Sequence, residues 1–188
     1  MASQRASIVH RIAGLAAAAA LALAWAPAPS AAQPSDVAVK AAFLTKFPSY
    51  LAWPPPARPG GGAPYTICIL GSDPFGGMAD GAVRGQQIDG HPLQLRRMAS
   101  AAGSERCHIA FVQGSGPQAT AAMLAALQGR PVLTVTDARG GAAQGMIHFV
   151  LHQGRVRFHV DEAAANRSGL AINSRLLGVA LSVKRGRS

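Results

Sequence analysis

His108-Ile-Ala-Phe-Val112, Gln118-Ala-Thr-Ala-Ala-Met-Leu-Ala-Ala-Leu127 and Val132-Leu-Thr-Val-Thr136 follow one another near the middle of the chain. The first and third are short apolar runs of the kind that form buried strands. The second is rich in alanine and carries Met123, Leu124 and Leu127, which reads as a helix. A strand, a helix and a second strand in this order predict an α/β domain with a mainly parallel sheet.

Upstream the same rhythm holds. Tyr65-Thr-Ile-Cys-Ile-Leu70 is a short β-rich run, followed by the loop Gly71-Ser-Asp-Pro-Phe-Gly-Gly77 and a helix near Met78 to Val83. Leu93-Gln-Leu-Arg-Arg-Met98 alternates as a half-exposed strand does. Asp36 to Trp53 reads as a helix capped by Ser35 or Asp36, with Val39, Phe43, Phe47, Tyr50 and Leu51 along one apolar stripe. Pro48 falls inside this pattern and should kink or split it. Pro54-Pro-Pro56 and Pro59-Gly-Gly-Gly-Ala-Pro64 form a linker or exposed loop.

Downstream the pattern changes. Ile147-His-Phe-Val-Leu-His152 and Arg155-Val-Arg-Phe-His-Val160 alternate and are joined by Gln153-Gly154, a hairpin signal. A two-residue turn pairs His152 with Arg155 and sets His148 opposite His159. Ile147, Phe149, Leu151, Val156, Phe158 and Val160 then face the core, and His148, Val150, His152, Arg155, Arg157 and His159 face outward. From Glu162 to about Val183, an acid-started alanine run and four leucines suggest two short helices, and the basic end from Lys184 should fray. The expected fold is a compact α/β domain: a mostly parallel or mixed sheet flanked by helices, with a C-terminal β-hairpin and short helices.

The chain begins with Arg5 and Arg11 and no acid, then an apolar run from Ile12 to Ala26, then Pro27-Ala-Pro-Ser-Ala-Ala32. This is the order of a cleavable secretory signal, with the cut placed after Ala32. The run is shorter than the ~20 residues a membrane-spanning helix needs. What remains, residues 33–188, is one domain by length. Loss of Arg5 and Arg11 lowers the formal net charge from +10 to +8. Such a surplus favours anionic partners or surfaces, while export argues against nucleic acid.

Cys68 and Cys107 are the only cysteines. In an exported protein an even pair reads as a disulfide, here tying two neighbouring strands. Closing a loop of about 40 residues stabilises by roughly 4 kcal/mol in the chain-entropy model. The Gly71–Gly77 loop lacks the lysine and hydroxyl of a nucleotide-binding loop, so Ser72 and Asp73 are read as capping the helix that follows. On the hairpin, His148 and His159 sit close enough to share a ligand, and Arg155 and Arg157 beside them favour an anion over a cation. Two histidines without a third ligand make a poor metal site. No acid pair and no nucleophile elbow accompany them. The reading is of a non-enzyme with neither metal nor cofactor.

Lys40-Ala-Ala-Phe-Leu-Thr-Lys-Phe-Pro-Ser-Tyr-Leu-Ala-Trp-Pro54 resembles the opening helix of the YfiR family of bacterial periplasmic proteins. Ile67 to Gly76, Cys107 to Val112, Leu133 to Asp137, Gly141 to Val150, Gly154 to Val160 and Ala163 to Leu177 continue the likeness in order. The resemblance implies a periplasmic regulator that represses an inner-membrane diguanylate cyclase by binding its periplasmic domain, and so controls cyclic di-GMP and biofilm formation. It also implies an outer-membrane lipoprotein as a second partner, a homodimer, and a disulfide at Cys68 and Cys107. A second cysteine pair found in some relatives is absent here. Thr45, Lys46 and Pro48 stand where aromatic, amide and small helix-forming residues are usual, which alters any partner surface on that helix. The other function the residues suggest is a periplasmic small-anion sensor using His148, Arg155, Arg157 and His159.

Overall fold

Ser35 opens the first helix: its Oγ accepts from the Ala38 N–H at 3.2 Å, satisfying one of the donors a helix start leaves unpaired. In the computed structural model, which describes residues 34–186, α1 runs Asp36–Lys46 and gives way to a 3₁₀ turn over Phe47–Tyr50. Pro48 therefore ends the α-helix, as its missing N–H requires. The chain then enters a two-residue strand, β1 (Leu51–Ala52). The export signal read over residues 1–32 lies outside the described residues.

The strands that follow are β2 (Tyr65–Gly71), β3 (Gln87–Ile88), β4 (His91–Met98), β5 (Ile109–Gln113) and β6 (Leu133–Asp137). Next come β7 (Ile147–His152), β8 (Arg155–Asp161), β9 (Ala171–Ile172) and β10 (Ser182–Lys184). Between them lie α2 (Gly77–Val83), α3 (Pro117–Ala126), α4 (Glu162–Arg167) and α5 (Ser174–Val179). Eight strands form one mixed sheet in the order β10-β8-β7-β6-β5-β2-β4-β3, and β1 pairs with β9 apart from it. The pairings β7–β8 and β3–β4 are antiparallel and the rest of the large sheet is parallel. The fold is thus α/β as expected, with the sheet mixed.

Gln153 and Gly154 both adopt positive φ, 50° and 70°, the pairing a type I′ turn demands. The turn sets the register, with His152 opposite Arg155 and His148 opposite His159. The alternation holds along β8, whereas on β7 His148 of the outward row is buried and Leu151 of the core row is exposed.

The two faces of the sheet are covered differently. On one, Ile67, Ile69, Phe111, Val135, Phe149 and Phe158 pack with α1 in the main core. Phe43 of α1 and Phe47 of the 3₁₀ turn lie 5.5 and 6.0 Å, centroid to centroid, from Phe158 and Phe149 respectively. A fully buried phenylalanine contributes roughly 1.5–3 kcal/mol, so this four-ring contact is a main tie between α1 and the hairpin. On the other face α3 covers only the β2–β5 half, where Leu127 joins Cys68, Leu70, Ala110 and Val112. Cys68 and Cys107 are disulfide-bonded there. Gly71 ends β2 with φ of 81°, and a Cβ there would stand 2.3 Å from the Gln113 carbonyl oxygen.

The short strands β1, β3, β9 and β10 and one buried ion pair were not foreseen. Ser182–Lys184 forms β10, parallel to β8, in place of a helix end and frayed tail. Lys184 is held by Asp161 at 2.9 Å and Arg185 by Glu162 at 3.5 Å. Lys40, on α1, is buried and bonded directly to buried Asp137 at the end of β6. Removing one partner of such a pair leaves an uncompensated buried charge. Lys40→Ala should therefore lower stability to urea unfolding by about 3–5 kcal/mol, with Lys40→Met/Asp137→Asn recovering part of the loss. An unchanged unfolding midpoint for Lys40→Ala would contradict the assignment.

Candidate functional site

Because α3 stops at the middle of the sheet, the second face of β6, β7, β8 and β10 carries polar side chains in rows. Thr136, His148, His159 and Ser182 are successive register partners across these four strands. Thr136 Oγ1 lies 2.8 Å from His148 Nδ1, and His159 Nδ1 lies 2.6 Å from Ser182 Oγ. The Thr136 hydroxyl already accepts from the Gly145 N–H at 2.9 Å, and its own hydrogen is then available to His148 Nδ1. Gly145 must be glycine, since a Cβ would stand 2.7 Å from the Thr134 carbonyl oxygen.

Beside this row lies a cleft of about 450 Å³ lined by Gln144, Gly145, His148, His159, Ser182 and Lys184. Asp161 also borders it and pairs with Lys184. The structure thus brings His148 and His159 together and leaves Arg155 and Arg157 outside the cleft lining. Arg155 is exposed at the hairpin tip, and Arg157 donates to the Val179 carbonyl at 3.4 Å. His148, expected on an outward face, is in fact buried. Burial holds it toward its neutral form, with the neighbouring His159 adding to the effect and Asp137 opposing it. Among the described residues no cluster of three histidines, cysteines or carboxylates assembles a metal site.

Ser72 and Asp73, read as capping the helix after β2, do not cap it: α2 opens on Gly76 with no side-chain cap, and Asp73 closes the turn before it. Asp73 Oδ1 accepts from the Phe75 and Gly76 N–H groups at 2.7 and 3.2 Å, and its other oxygen accepts from Arg97. This is a turn built to enter α2, with its polar groups already in use.

A second concavity, of about 550 Å³, runs between α1 and α5 and was not anticipated. Val39, Phe43 and Tyr50 from the first segment and Leu176 and Val179 from the second give it an apolar lining. Lys46 and Arg175 border it and no carboxylate does. Val179 is 56% exposed. Of the three unusual residues on the first helix, Lys46 alone reaches this groove, whereas Thr45 is buried and donates to the Ala42 carbonyl at 2.8 Å. Pro48 is buried in the 3₁₀ turn. No described helix is long and apolar enough to cross a membrane.

Burial disfavours the protonated form of both His148 and His108, so the unfolded chain takes up protons first as pH falls. Stability should then decline as pH drops below about 6.5. His148→Gln should make that decline shallower between pH 7.5 and 5.5 in thermal unfolding; an unaltered slope would rule out the role given to His148.

No curated protein compared with the chain matches it. A family model described as YfiR/HmsC-like does, over residues 37–181. That span runs from the first turn of α1 to the residue before β10 and so takes in the other seven strands of the large sheet, the disulfide, His148, His159 and the α1 and α5 residues that line the apolar groove. The chain belongs to the YfiR/HmsC-like family.

Proposed function

We propose that this protein is a periplasmic regulator that represses an inner-membrane diguanylate cyclase by binding the cyclase's periplasmic domain. Repression would lower cyclic di-GMP and restrain biofilm formation. The match to the YfiR/HmsC-like family across residues 37–181 carries the reading. Export through a cleaved signal at residues 1–32, the mature domain 33–188, homodimer formation and release by an outer-membrane lipoprotein belong to the same proposal.

The surface proposed for the cyclase is the groove between α1 and α5. Its lining is apolar and its only charges are cationic, so it suits an apolar segment flanked by carboxylates. Exposed apolar surface of this kind marks interaction sites. Val179 is the residue to test, because its exposure makes a charged substitution tolerable to the fold.

Deleting the protein should raise cellular cyclic di-GMP severalfold, with the wild-type chain restoring the level and Val179→Asp failing to do so at equal abundance. An unchanged level on deletion would refute the regulatory reading. Full complementation by Val179→Asp would refute the groove alone.

A second reading, a small-anion sensor at the hairpin face of His148, Arg155, Arg157 and His159, draws support from the pairing of His148 with His159. It requires an anionic metabolite that raises the melting temperature of the wild type and not of Arg157→Ala. A screen without such a metabolite would contradict it.

A further inference from the structure

Arg96 and Arg97 are neighbours on β4 with opposite fates. Arg97 donates to Asp73 at 2.7 Å, to Asp80 at 2.6 and 3.0 Å and to the Gly76 carbonyl at 3.0 Å. It is a structural arginine with its donors in use. Arg96, on the other face and only partly exposed, has no carboxylate or carbonyl partner among the described residues. The same holds for Arg106.

Both arginines lie beside the disulfide and line one cleft. Arg96 is the register partner of Cys68 in the β2–β4 pairing, and Arg106 directly precedes Cys107. The bond holds the two half-cystines with their Cα atoms 5.8 Å apart, which ties the Ser104–Arg106 turn that presents Arg106 to β2, whose neighbour β4 presents Arg96. Arg130 and Arg58 complete a cleft of about 570 Å³ at the N-terminal ends of the parallel strands, a different place from the histidine row. Arg130 is steadied by buried Ser104 at 3.2 Å and by Glu105 at 3.4 Å. Arg58 spends its Nε on the Trp53 carbonyl at 2.7 Å and keeps its two terminal nitrogens. The cleft therefore sets four guanidinium groups against one carboxylate, Glu105, which is itself largely exposed. His108 borders it in its neutral form, burial having lowered its proton affinity, and adds no charge at neutral pH.

We infer that this cleft binds a multiply charged oxyanion of the phosphate type, and that the Cys68–Cys107 disulfide keeps the site assembled. Guanidinium forks recognise phosphate and carboxylate oxygens in pairs, and several converging forks favour a ligand with more than one charge. The volume is within the range of small-molecule sites. The oxyanion is either a free phosphorylated metabolite or the headgroup of an anionic lipid, since both present the same oxygens. Oxidation state enters through geometry: with the bond open, nothing covalent holds the turn that carries Arg106 against β2. This inference is independent of the regulatory reading.

Inorganic pyrophosphate is the probe, titrated calorimetrically into the purified mature protein at 50 mM and 200 mM salt. One saturable site is expected, weaker at the higher salt, with Arg96→Gln and Arg106→Gln each reducing affinity at least tenfold and Arg84→Gln without effect. Arg106 is exposed, so its variant keeps the test valid if Arg96→Gln does not fold. Vesicles containing phosphatidylglycerol form the second arm: binding there through the same two arginines, with none to pyrophosphate, identifies the oxyanion as a lipid headgroup. Absence of saturable binding in both arms, or binding indifferent to Arg96 and Arg106, overturns the proposal. Cys68→Ser/Cys107→Ser, shown folded by circular dichroism, should bind at least fivefold more weakly; equal binding overturns the role of the disulfide.

Discussion

The ion pair between Lys40 and Asp137 is the constraint on which the arrangement of the molecule turns. A lysine amine taken out of water on α1 has to find its carboxylate, and the carboxylate available is the last residue of β6. Asp137 also accepts from the Arg139 N–H at 3.1 Å, so one side chain ends the strand, starts the next turn and receives the helix. Breaking the pair costs more than forming it contributes; its effect is to permit one depth and one rotation of α1. With the helix so seated, Phe43 and Phe47 meet Phe149 and Phe158. What the helix does not bury faces α5 and becomes the apolar groove.

The second organising fact is the unequal cover of the sheet. Where α3 lies, the face packs an apolar cluster that includes the disulfide; where it does not, the strands place threonine, histidines and serine in register. The rows are satisfied sideways, strand to strand, so His148 can be buried without being stranded. The cleft beside the histidine row follows from this division. The arginine cleft lies apart from it, at the N-terminal ends of the parallel strands and against Cys107.

Much of the fold was legible in the sequence because it is local. Gln153-Gly154 dictated the hairpin register through backbone conformation, Pro48 ended a helix through a missing donor, and the short apolar runs marked the central strands. The cysteine pair was legible once export was inferred. What stayed hidden depends on distant partners. Lys40 and Asp137 are 97 residues apart, and nothing in either segment names the other. Ser182-Val-Lys184 is too short and too polar to announce a strand. The burial of His148 was missed because alternation tells which face a residue takes, and not whether that face is covered. The arginine cleft draws one residue from each of four segments, so no spacing reveals it.

The most direct test of the account is the affinity of the purified mature protein for the periplasmic domain of the membrane diguanylate cyclase of the same cell, measured by titration calorimetry. The account predicts saturable binding that Val179→Asp weakens at least tenfold while leaving the melting temperature in place. Absence of binding to any such periplasmic domain that the cell encodes would contradict it.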